Sequence, residues 1–224
     1  MAVKSASTQS INIGSGYLRA KRVFDVLFTL LMLIPLLLVV VIVAVLIWLD
    51  SEGPVFFRQK RVGLQGVEFT IYKFRSMYVD SNDGLHRDAI RHYMQGEKLN
   101  GKAGTAMLYK LDNDPRVTRL GRFIRKTSID ELPQFLNVLR GEMTLVGPRP
   151  PLPYEVEHYS SNDWLRLSGK PGLTGPWQVY GRSQVSFQDM VEMDVNYLQQ
   201  QSFWEDFKLI ALTPIVMISR RGGA

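Results

Sequence analysis

Two adjacent carboxylates, Asp130 and Glu131, stand directly behind a strongly basic stretch of the chain. Five of the eleven residues from Arg116 to Lys126 are arginine or lysine. A carboxylate beside fixed cations stays ionised and is available as a nucleophile, provided that the charge of an approaching phosphate is neutralised. Glu131 offers oxygen to Mg²⁺, which binds carboxylate and phosphate. Because a helix N-terminus at this point would add phosphate-binding N–H groups, the pattern predicts phosphoryl transfer.

The same stretch also has a purely structural interpretation. Arginines at every third position lie opposite apolar residues, which describes a basic amphipathic helix suited to anionic lipid: Arg116, Arg119 and Arg122 against Val117, Leu120 and Ile124. Ser128 and Glu131 would form a capping box, with Asp130 favoured by the helix dipole. The next helix would end at Gly141 and bury four residues: Leu132, Phe135, Leu136 and Leu139.

An uncharged apolar block, from Val26 to Leu49, must position this site. As a helix it would be about 36 Å long, enough to cross a bilayer. It is too long for a signal peptide, and no small-residue cleavage pattern follows it. One interpretation is a single spanning helix. The other is a re-entrant helix that bends at Pro35, because basic residues flank both ends of the block and the positive-inside tendency keeps both on one side.

Composition narrows the function classes. The 224 residues suffice for one domain of ordinary size, and they include no cysteine, which excludes disulfides, thiolate nucleophiles and cysteine-based zinc sites. A net charge of +6 favours anionic partners. Nucleic acid is excluded as a partner, because no recognised binding motif accompanies the charge and a membrane block is present.

The rest of the chain predicts short elements around the site. PVFFRQKRVG and VEFTIYKFRSM read as the strands of a hairpin with a turn at 63–66. The segment 82–114 is polar and irregular, and its His86 and His92 are expected on a solvated helix rather than on a metal. GEKLNGKA, at 96–103, is rejected as a phosphate-binding loop because it lacks the final hydroxyl and a preceding strand.

Two helical patterns end the chain. The second begins with the capping box Ser202-x-x-Glu205. Its apolar part, Leu209 to Ile218, is too short to cross a bilayer. Two alternatives stay open: this helix lies in the membrane interface with Phe203 and Trp204 as anchors, or it docks on the core.

Three long blocks, in this order, resemble a known family: KFRSM, SIDELPQFLNVLRGEMTLVGPRP and PGLTGPWQVYGRS. They are similar to the signature blocks of the bacterial monotopic phosphoglycosyl transferases, the polyprenyl-phosphate sugar-1-phosphate transferases. The resemblance runs from about Lys21 to Arg220. It implies a re-entrant membrane helix, a catalytic domain on the cytoplasmic face of the inner membrane, and an Asp-Glu pair that works with Mg²⁺.

The resemblance also assigns roles to residues. Asp130 would attack the β-phosphate of a UDP-sugar, UMP would leave, and undecaprenyl phosphate would take the sugar-1-phosphate from the covalent intermediate. Glu131 would bind the metal and Arg125 a phosphate. Further candidates for phosphate or nucleotide contacts, each with a solvated or salt-bridged cation as the alternative, are Lys73, Arg75, Arg149 and Arg182. Trp177 and Tyr180 are expected to pack in the core, with stacking on uracil as the alternative.

Two departures from the family pattern matter. Members often carry serine before the kinking proline, where this chain has Ile34, so the bend must rely on Pro35 and other polar groups. The loop sequence GPWQV leans toward a hexose-1-phosphate, from glucose or galactose. Because larger relatives carry extra N-terminal membrane segments, we expect a minimal form or an excised catalytic unit.

The expected fold is α+β: a mainly helical cytoplasmic catalytic domain with a small β-hairpin, anchored by the re-entrant helix kinked at Pro35. Its expected parts are a mobile tail at 1–20, the membrane helix at 21–50, the catalytic domain at 51–201 and an interfacial helix at 202–224. The expected enzyme initiates exopolysaccharide, O-antigen or other glycoconjugate synthesis. A non-catalytic scaffold that binds anionic lipid is the alternative, and homo-oligomer formation stays open.

Overall fold

A computed structural model describes residues 11, 14–79, 84–94, 114–181 and 185–218. Its first element is helix α1, Ser15–Asp50, which begins six residues before the predicted membrane helix and continues through Pro35. Among the described residues, α1 is the one helix that is long and apolar enough to cross a membrane by length and composition. It is the predicted apolar element, and its middle part, residues 30–42, has no buried residue.

Both ends of α1 pack against the same domain. Near the N-terminal end, three polar residues spaced by four lie on one buried face: Lys21, Asp25 and Thr29. Asp25 accepts hydrogen bonds from Thr144 Oγ1 at 2.6 Å and from the backbone N–H of Leu145 at 3.2 Å. Near the C-terminal end, Val43 and Ile47 are buried in an apolar cluster with Phe74 and Ile124. The residues that follow α1 in the chain therefore contact it on both sides of Pro35.

The predicted hairpin is confirmed. Strands β1, Phe56–Val62, and β2, Glu68–Phe74, pair antiparallel, with Phe57 opposite Lys73. A short 3₁₀ turn, Leu64–Gly66, joins them. Gln65 and Gly66 both have positive φ, 55° and 82°, which is the left-handed backbone that a tight turn requires.

Helix α2, Gly84–Met94, lies in the segment expected to be irregular, and its His92 is half-buried. The side chain of His86 and the segment 96–103 lie outside the described residues. Helix α3, Arg119–Lys126, leads into a 3₁₀ helix, Ile129–Gln134, and then into helix α4, Phe135–Arg140. As predicted, α4 ends at Gly141, whose φ is 79°.

A parallel strand pair was not predicted. Strands β3, Thr144–Val146, and β4, Gly172–Thr174, pair side by side. Beyond them the amide N–H of Gly147 donates to Thr174 O, and that of Gly172 donates to Pro148 O, both at 2.9 Å. A Cβ on Gly172 would lie 2.1 Å from the Gly147 nitrogen, so only glycine permits this approach. The pair brings the GPRP and PGLTGPW blocks together.

The chain continues through helix α5, Pro153–Val156, a 3₁₀ helix, Asp163–Ser168, and a π-helix, Trp177–Gly181. It ends in helices α6, Phe187–Gln200, and α7, Phe203–Ile218, which confirms the two terminal helical patterns. Ser202 Oγ accepts the N–H of Glu205, as predicted for a cap. The main core gathers residues from the hairpin, α4, β3, α6 and α7: Ile71, Val138, Met143, Leu145, Val146, Val179, Tyr197, Leu198 and Leu209.

Candidate active site

The Asp-Glu pair lies on the 3₁₀ turn Ile129–Gln134, and not in the first turn of an α-helix. The predicted capping box at Ser128 is wrong. Ser128 has φ 54° and ψ 18°, and its side chain makes no capping hydrogen bond; instead its carbonyl oxygen accepts the N–H of Glu131 at 3.1 Å. A left-handed serine is uncommon, and such backbone often occurs at functional sites. The turn presents Asp130 and Glu131 half-buried at the surface.

Helix α3 has the predicted amphipathic form. Thr118 caps it by accepting the N–H of Gly121 at 2.8 Å. Ile124 is fully buried against Val43 and Ile47 of α1, while Arg119 and Arg122 are exposed. The buried side of the basic helix α3 therefore packs against the apolar helix α1.

Arg125 stands in the last turn of α3, five residues before Asp130. Its positive charge adds a small effect to that of Arg116, whose guanidinium hydrogen bonds are the main reason why the pKa of Asp114 lies below its usual value. Arg125 is thus near enough to Asp114 to affect its pKa, and it is close in sequence to the acidic pair.

Strand β2 supplies the predicted Lys73 to the site. Lys73 Nζ lies 2.8 Å from Oε1 of Glu131, with the two side chains 19% and 39% exposed. The cation therefore lies beside the acidic pair. Its partner in the structure is a carboxylate, so its predicted contact with phosphate stays a prediction.

Asn137, which sequence analysis missed, fixes α4 to the hairpin. Its side-chain nitrogen donates to Thr70 O and to Glu142 Oε2, both at 2.7 Å, and its side-chain oxygen accepts the N–H of Tyr72 at 3.3 Å. Asn137 is completely buried. It aligns the strand that carries Lys73 with the helix that follows Glu131. A polar residue inside an otherwise apolar helix pattern was the available signal.

The predicted burial of α4 is partly wrong. Leu136 is exposed, whereas Gln134, Asn137 and Val138 are buried. The helix is only six residues long, and its orientation is set by the bonds of Asn137 rather than by its leucines.

Comparison with known proteins decides the family. The model of the bacterial sugar transferase family matches residues 16–220. The chain belongs to the bacterial sugar transferase family. It is 44% identical over 92% of its length to the galactosyl transferase CpsE of Streptococcus agalactiae, covering 44% of that protein. It is 38% identical over 90% of its length to the undecaprenyl-phosphate galactose phosphotransferase of Salmonella typhimurium, covering 41% of it.

A third relative is closer in size. The exopolysaccharide production protein ExoY of Rhizobium meliloti is 40% identical over 90% of this chain, which covers 87% of ExoY. The chain thus spans less than half the length of the two galactose-related relatives and most of ExoY.

Two of the other predicted cations, Arg75 and Arg149, have partners of their own in the structure. Arg75 is buried and donates to main-chain oxygens at the end of α1 and just after it, Glu52 O at 2.7 Å and Ser51 O among them. These bonds hold the C-terminal end of α1, and a phosphate contact of Arg75 stays a prediction. Arg149 is half-buried, with its guanidinium 5.0 Å from the ring centre of Trp177. Arg182 lies outside the described residues.

Trp177 and Tyr180 both lie in the π-helix, but they differ in exposure. Trp177 is buried in a second core cluster, in agreement with the expected core packing. Tyr180 is half-exposed, and Lys208 Nζ of α7 lies 5.6 Å from its ring centre. π-Helical turns are rare and frequently mark functional sites.

The carboxylate oxygens of the acidic pair fit a magnesium ion whose remaining ligands come from substrate phosphate and water. Over the described residues no cluster of three or more histidine, cysteine, aspartate or glutamate side chains occurs. Mg²⁺ at phosphate-transfer sites is commonly held by one or two carboxylates together with substrate phosphates and water. Asp130 and Glu131, adjacent on one turn, provide such a carboxylate set.

Proposed function

We propose that this protein transfers a sugar-1-phosphate from a UDP-sugar to undecaprenyl phosphate and releases UMP. The observation that carries the proposal is the acidic turn, on which Asp130 stands next to a glutamate paired with Lys73. The name of the Salmonella typhimurium relative, an undecaprenyl-phosphate galactose phosphotransferase, supports the same reaction. The name of the third relative supports a role in starting exopolysaccharide synthesis.

The reaction proceeds in two displacements. A carboxylate oxygen of Asp130 attacks the β-phosphorus of the UDP-sugar, the bond from that phosphorus to the bridging oxygen breaks, and UMP leaves with the oxygen. A sugar-phosphoryl-aspartate remains. A phosphate oxygen of undecaprenyl phosphate then attacks the same phosphorus, which restores the carboxylate and yields the lipid diphosphosugar. Because the first product leaves before the second substrate reacts, the kinetics are ping-pong.

The chain's own residues prepare this chemistry. Glu131, with Asp130 beside it, would hold Mg²⁺, which when bound neutralises the phosphate charge that would otherwise repel Asp130. Lys73 orients Glu131 through its 2.8 Å bond and adds positive charge. Arg125 binds phosphate from the end of α3. Of the remaining predicted cations, Arg149 binds the nucleotide. Arg75 and Arg182 stay candidates for phosphate or nucleotide contacts on the family resemblance alone.

The sugar is a hexose, either galactose or glucose. The GPWQV loop favours this class, and the galactose in the names of two relatives supports it. Turnover of a panel of UDP-sugars tests the choice: UDP-galactose or UDP-glucose should release UMP faster than their N-acetylated counterparts. Preference for an N-acetylhexosamine would contradict it.

The membrane helix is re-entrant and bends at Pro35, so that the catalytic domain lies on the cytoplasmic face of the inner membrane. A straight helix of 36 residues is ~54 Å long and would carry its ends to opposite sides of a bilayer. Asp25 and Ile47 nevertheless both pack against one domain. A bend lets both ends return to that domain while the apolar middle stays in lipid.

Helix α7 lies along the membrane interface beside α1. It docks on the core through Leu209, which is fully buried, while Phe203, Trp204 and Phe207 are exposed. The Phe203 ring meets the Tyr17 ring of α1 edge-on, with 5.3 Å between ring centres. The exposed aromatic surface therefore continues the apolar surface of α1, and aromatic residues favour the headgroup level.

Trapping the covalent intermediate tests the function. Incubation with labelled UDP-sugar and Mg²⁺ but no lipid acceptor should release UMP once per enzyme and leave the label on the peptide that contains Asp130. Asp130→Asn should abolish both signals, whereas Asp88→Asn, an exposed aspartate on α2, should keep them. Label on a peptide without Asp130, or full activity of Asp130→Asn, would overturn the mechanism. Activity of neither protein with any UDP-sugar would favour the lipid-binding scaffold.

Single cysteines test the topology cleanly, because the chain has none. Ser15→Cys and Asp50→Cys place a thiol at an exposed position at each end of α1. In intact cells both should resist a membrane-impermeant maleimide and react after lysis. Reaction of one end from outside would restore the straight spanning helix.

A further inference from the structure

A fully buried ion pair is hydrogen-bonded to the GPRP block. Arg166, in the 3₁₀ helix Asp163–Ser168, and Asp194, in α6, have side chains that are 2% and 0% exposed. Two guanidinium nitrogens of Arg166 reach one oxygen of Asp194, Nη2 at 2.7 Å and Nε at 2.9 Å. Arg166 also donates to the hydroxyl of Tyr159 at 2.8 Å.

This pair is linked to the main chain of one residue, Arg149. Arg166 Nη2 donates to Arg149 O at 3.3 Å, and Asp194 holds the guanidinium of Arg166 in place. The side chain of Arg149 then runs to Trp177, with its guanidinium 5.0 Å from the ring centre. The position of Arg149 is thus set at two points: its carbonyl and its guanidinium.

Stability alone does not explain such a pair. Removing two charges from water is costly, and well-packed apolar residues of similar volume often stabilise a fold as well or better. An ion pair has an advantage where its remaining hydrogen-bonding groups must hold something else in place. Here Arg166 holds the backbone carbonyl of Arg149, a residue that the proposed function assigns to the nucleotide.

We propose that Arg166 and Asp194 are positioning residues for the donor substrate, and that they act through Arg149. The inference rests on the proposed function, because it requires Arg149 to bind the nucleotide of the UDP-sugar. The backbone beside Arg149 is bonded to the other end of the hairpin from Lys73. Val62, whose N–H donates to Pro151 O, stands five residues along β1 from Phe57, the partner of Lys73, and five strand residues span ~17 Å.

A double-mutant cycle tests the route of action. Arg149→Ala should raise KM for the UDP-sugar about tenfold or more, with a smaller change in kcat. Asp194→Asn should do the same because it weakens the hold on Arg166, which in turn holds the carbonyl of Arg149. In the Arg149→Ala background, Asp194→Asn should cause at most a further twofold change, since the residue through which it acts is already lost. UMP binding by calorimetry should follow the same pattern without turnover.

A second buried ion pair provides the matched control. Lys21 and Asp206 tie α1 to α7, and their side chains are 7% and 4% exposed. Asp206→Asn should lower the thermal midpoint as Asp194→Asn does, but its effect on KM should be small and equal in both Arg149 backgrounds. If Asp194→Asn does not fold, Arg166→Lys replaces it, because lysine keeps the charge but cannot reach Asp194, Arg149 and Tyr159 together.

The possible results distinguish failure of the positioning role from failure of the proposed transferase function. Equal losses from Asp194→Asn, or from Arg166→Lys, with and without the Arg149 side chain overturn the positioning role and leave the transferase function intact. An Arg149→Ala protein with unchanged KM and unchanged UMP affinity also overturns it. Absence of UMP release from the unaltered chain overturns the proposed function first, and the inference with it.

Discussion

Lys73 Nζ donates to Oε1 of Glu131 across 2.8 Å, and this bond joins the β-hairpin to the turn that carries Asp130. The two residues are 58 positions apart in the chain. The pair is partly open to solvent, so its contribution to folding is small, on the order of 0–1 kcal/mol. Because it lies next to the proposed nucleophile, we expect the pair to matter more for activity than for stability.

Removing the Lys73 charge should therefore separate activity from stability. Lys73→Met keeps the length of the side chain, and we expect kcat/KM for UMP release to fall about 100-fold, the loss typical for one preorganised electrostatic contact. The free energy of unfolding should change by less than about 1 kcal/mol. Initial rates and thermal melts in detergent measure the two quantities.

Lys60→Met is the matched control on the same hairpin. Lys60 pairs with Glu68 at 3.2 Å, but both side chains are largely exposed and far from the acidic turn in register. Its activity should stay within about twofold of the unaltered protein, as for most exposed ion pairs. Equal activity of the Lys73→Met and Lys60→Met proteins would remove Lys73 from the site.

Magnesium dependence should report on Glu131. Chelation with EDTA should abolish UMP release, and added Mg²⁺ should restore it. Glu131→Gln keeps the shape but weakens the ligand, so half-maximal activity should require about tenfold more Mg²⁺ or greater. Glu192→Gln, an exposed change on α6, should leave the titration unmoved. An unchanged magnesium titration for Glu131→Gln would assign the metal to other groups.

Local patterns predicted much of this fold. The hairpin followed from alternation and turn residues, and α3 followed from its helical period, because both signals lie within a few neighbouring residues. The acidic pair and Lys73 were likewise found from sequence. The structure brings Lys73 to Glu131, while the roles of Asp130, Glu131 and Arg125 in catalysis stay predictions.

Features that depend on distant residues were missed. Strands β3 and β4 have three residues each and pair only because Gly147 and Gly172 allow close approach. The Arg166–Asp194 pair gives no local signal, since each residue alone resembles a surface charge. Leu136 was placed inside because hydrophobic periodicity does not distinguish a core from an outward-facing apolar surface.

The packing of α3 against the hairpin end makes a sharp prediction at Gly121. A Cβ there would lie 2.1 Å from Ser76 O, a backbone atom that cannot move aside cheaply. Gly121→Ala should destabilise the protein by about 2–3 kcal/mol through overpacking, although alanine normally favours a helix by ~1 kcal/mol. Because α3 leads directly to Asp130, activity should fall as well.

Gly16→Ala supplies the opposite case. Gly16 lies in α1 and has nothing within 4 Å of an added Cβ. The same substitution there should be neutral or slightly stabilising, by a few tenths to about 1 kcal/mol. Thermal melts of both variants decide the matter, and a Gly121→Ala protein as stable as Gly16→Ala would mean that α3 is not held against Ser76.

Acid pH should reveal the pair that precedes α3. Arg116 donates to both carboxylate oxygens of Asp114, Nε to Oδ1 at 2.9 Å and Nη2 to Oδ2 at 2.7 Å, and these bonds hold the pKa of Asp114 below its usual value. The unfolded chain therefore takes up the proton first as pH falls. Stability from this group is complete above the unfolded pKa and is lost as pH falls through the folded pKa.

Asp114→Asn should consequently cost about 1.5–3 kcal/mol at neutral pH, the usual range for a hydrogen bond to a charged group, and progressively less as the pH drops below about 4. Urea unfolding at neutral and acid pH measures the difference. Asp88→Asn, at an exposed site, should match the unaltered protein at both pH values. A cost for Asp114→Asn that does not shrink in acid would mean that the Arg116 bonds do not depend on the carboxylate charge, and that Asp114 acts through its shape alone.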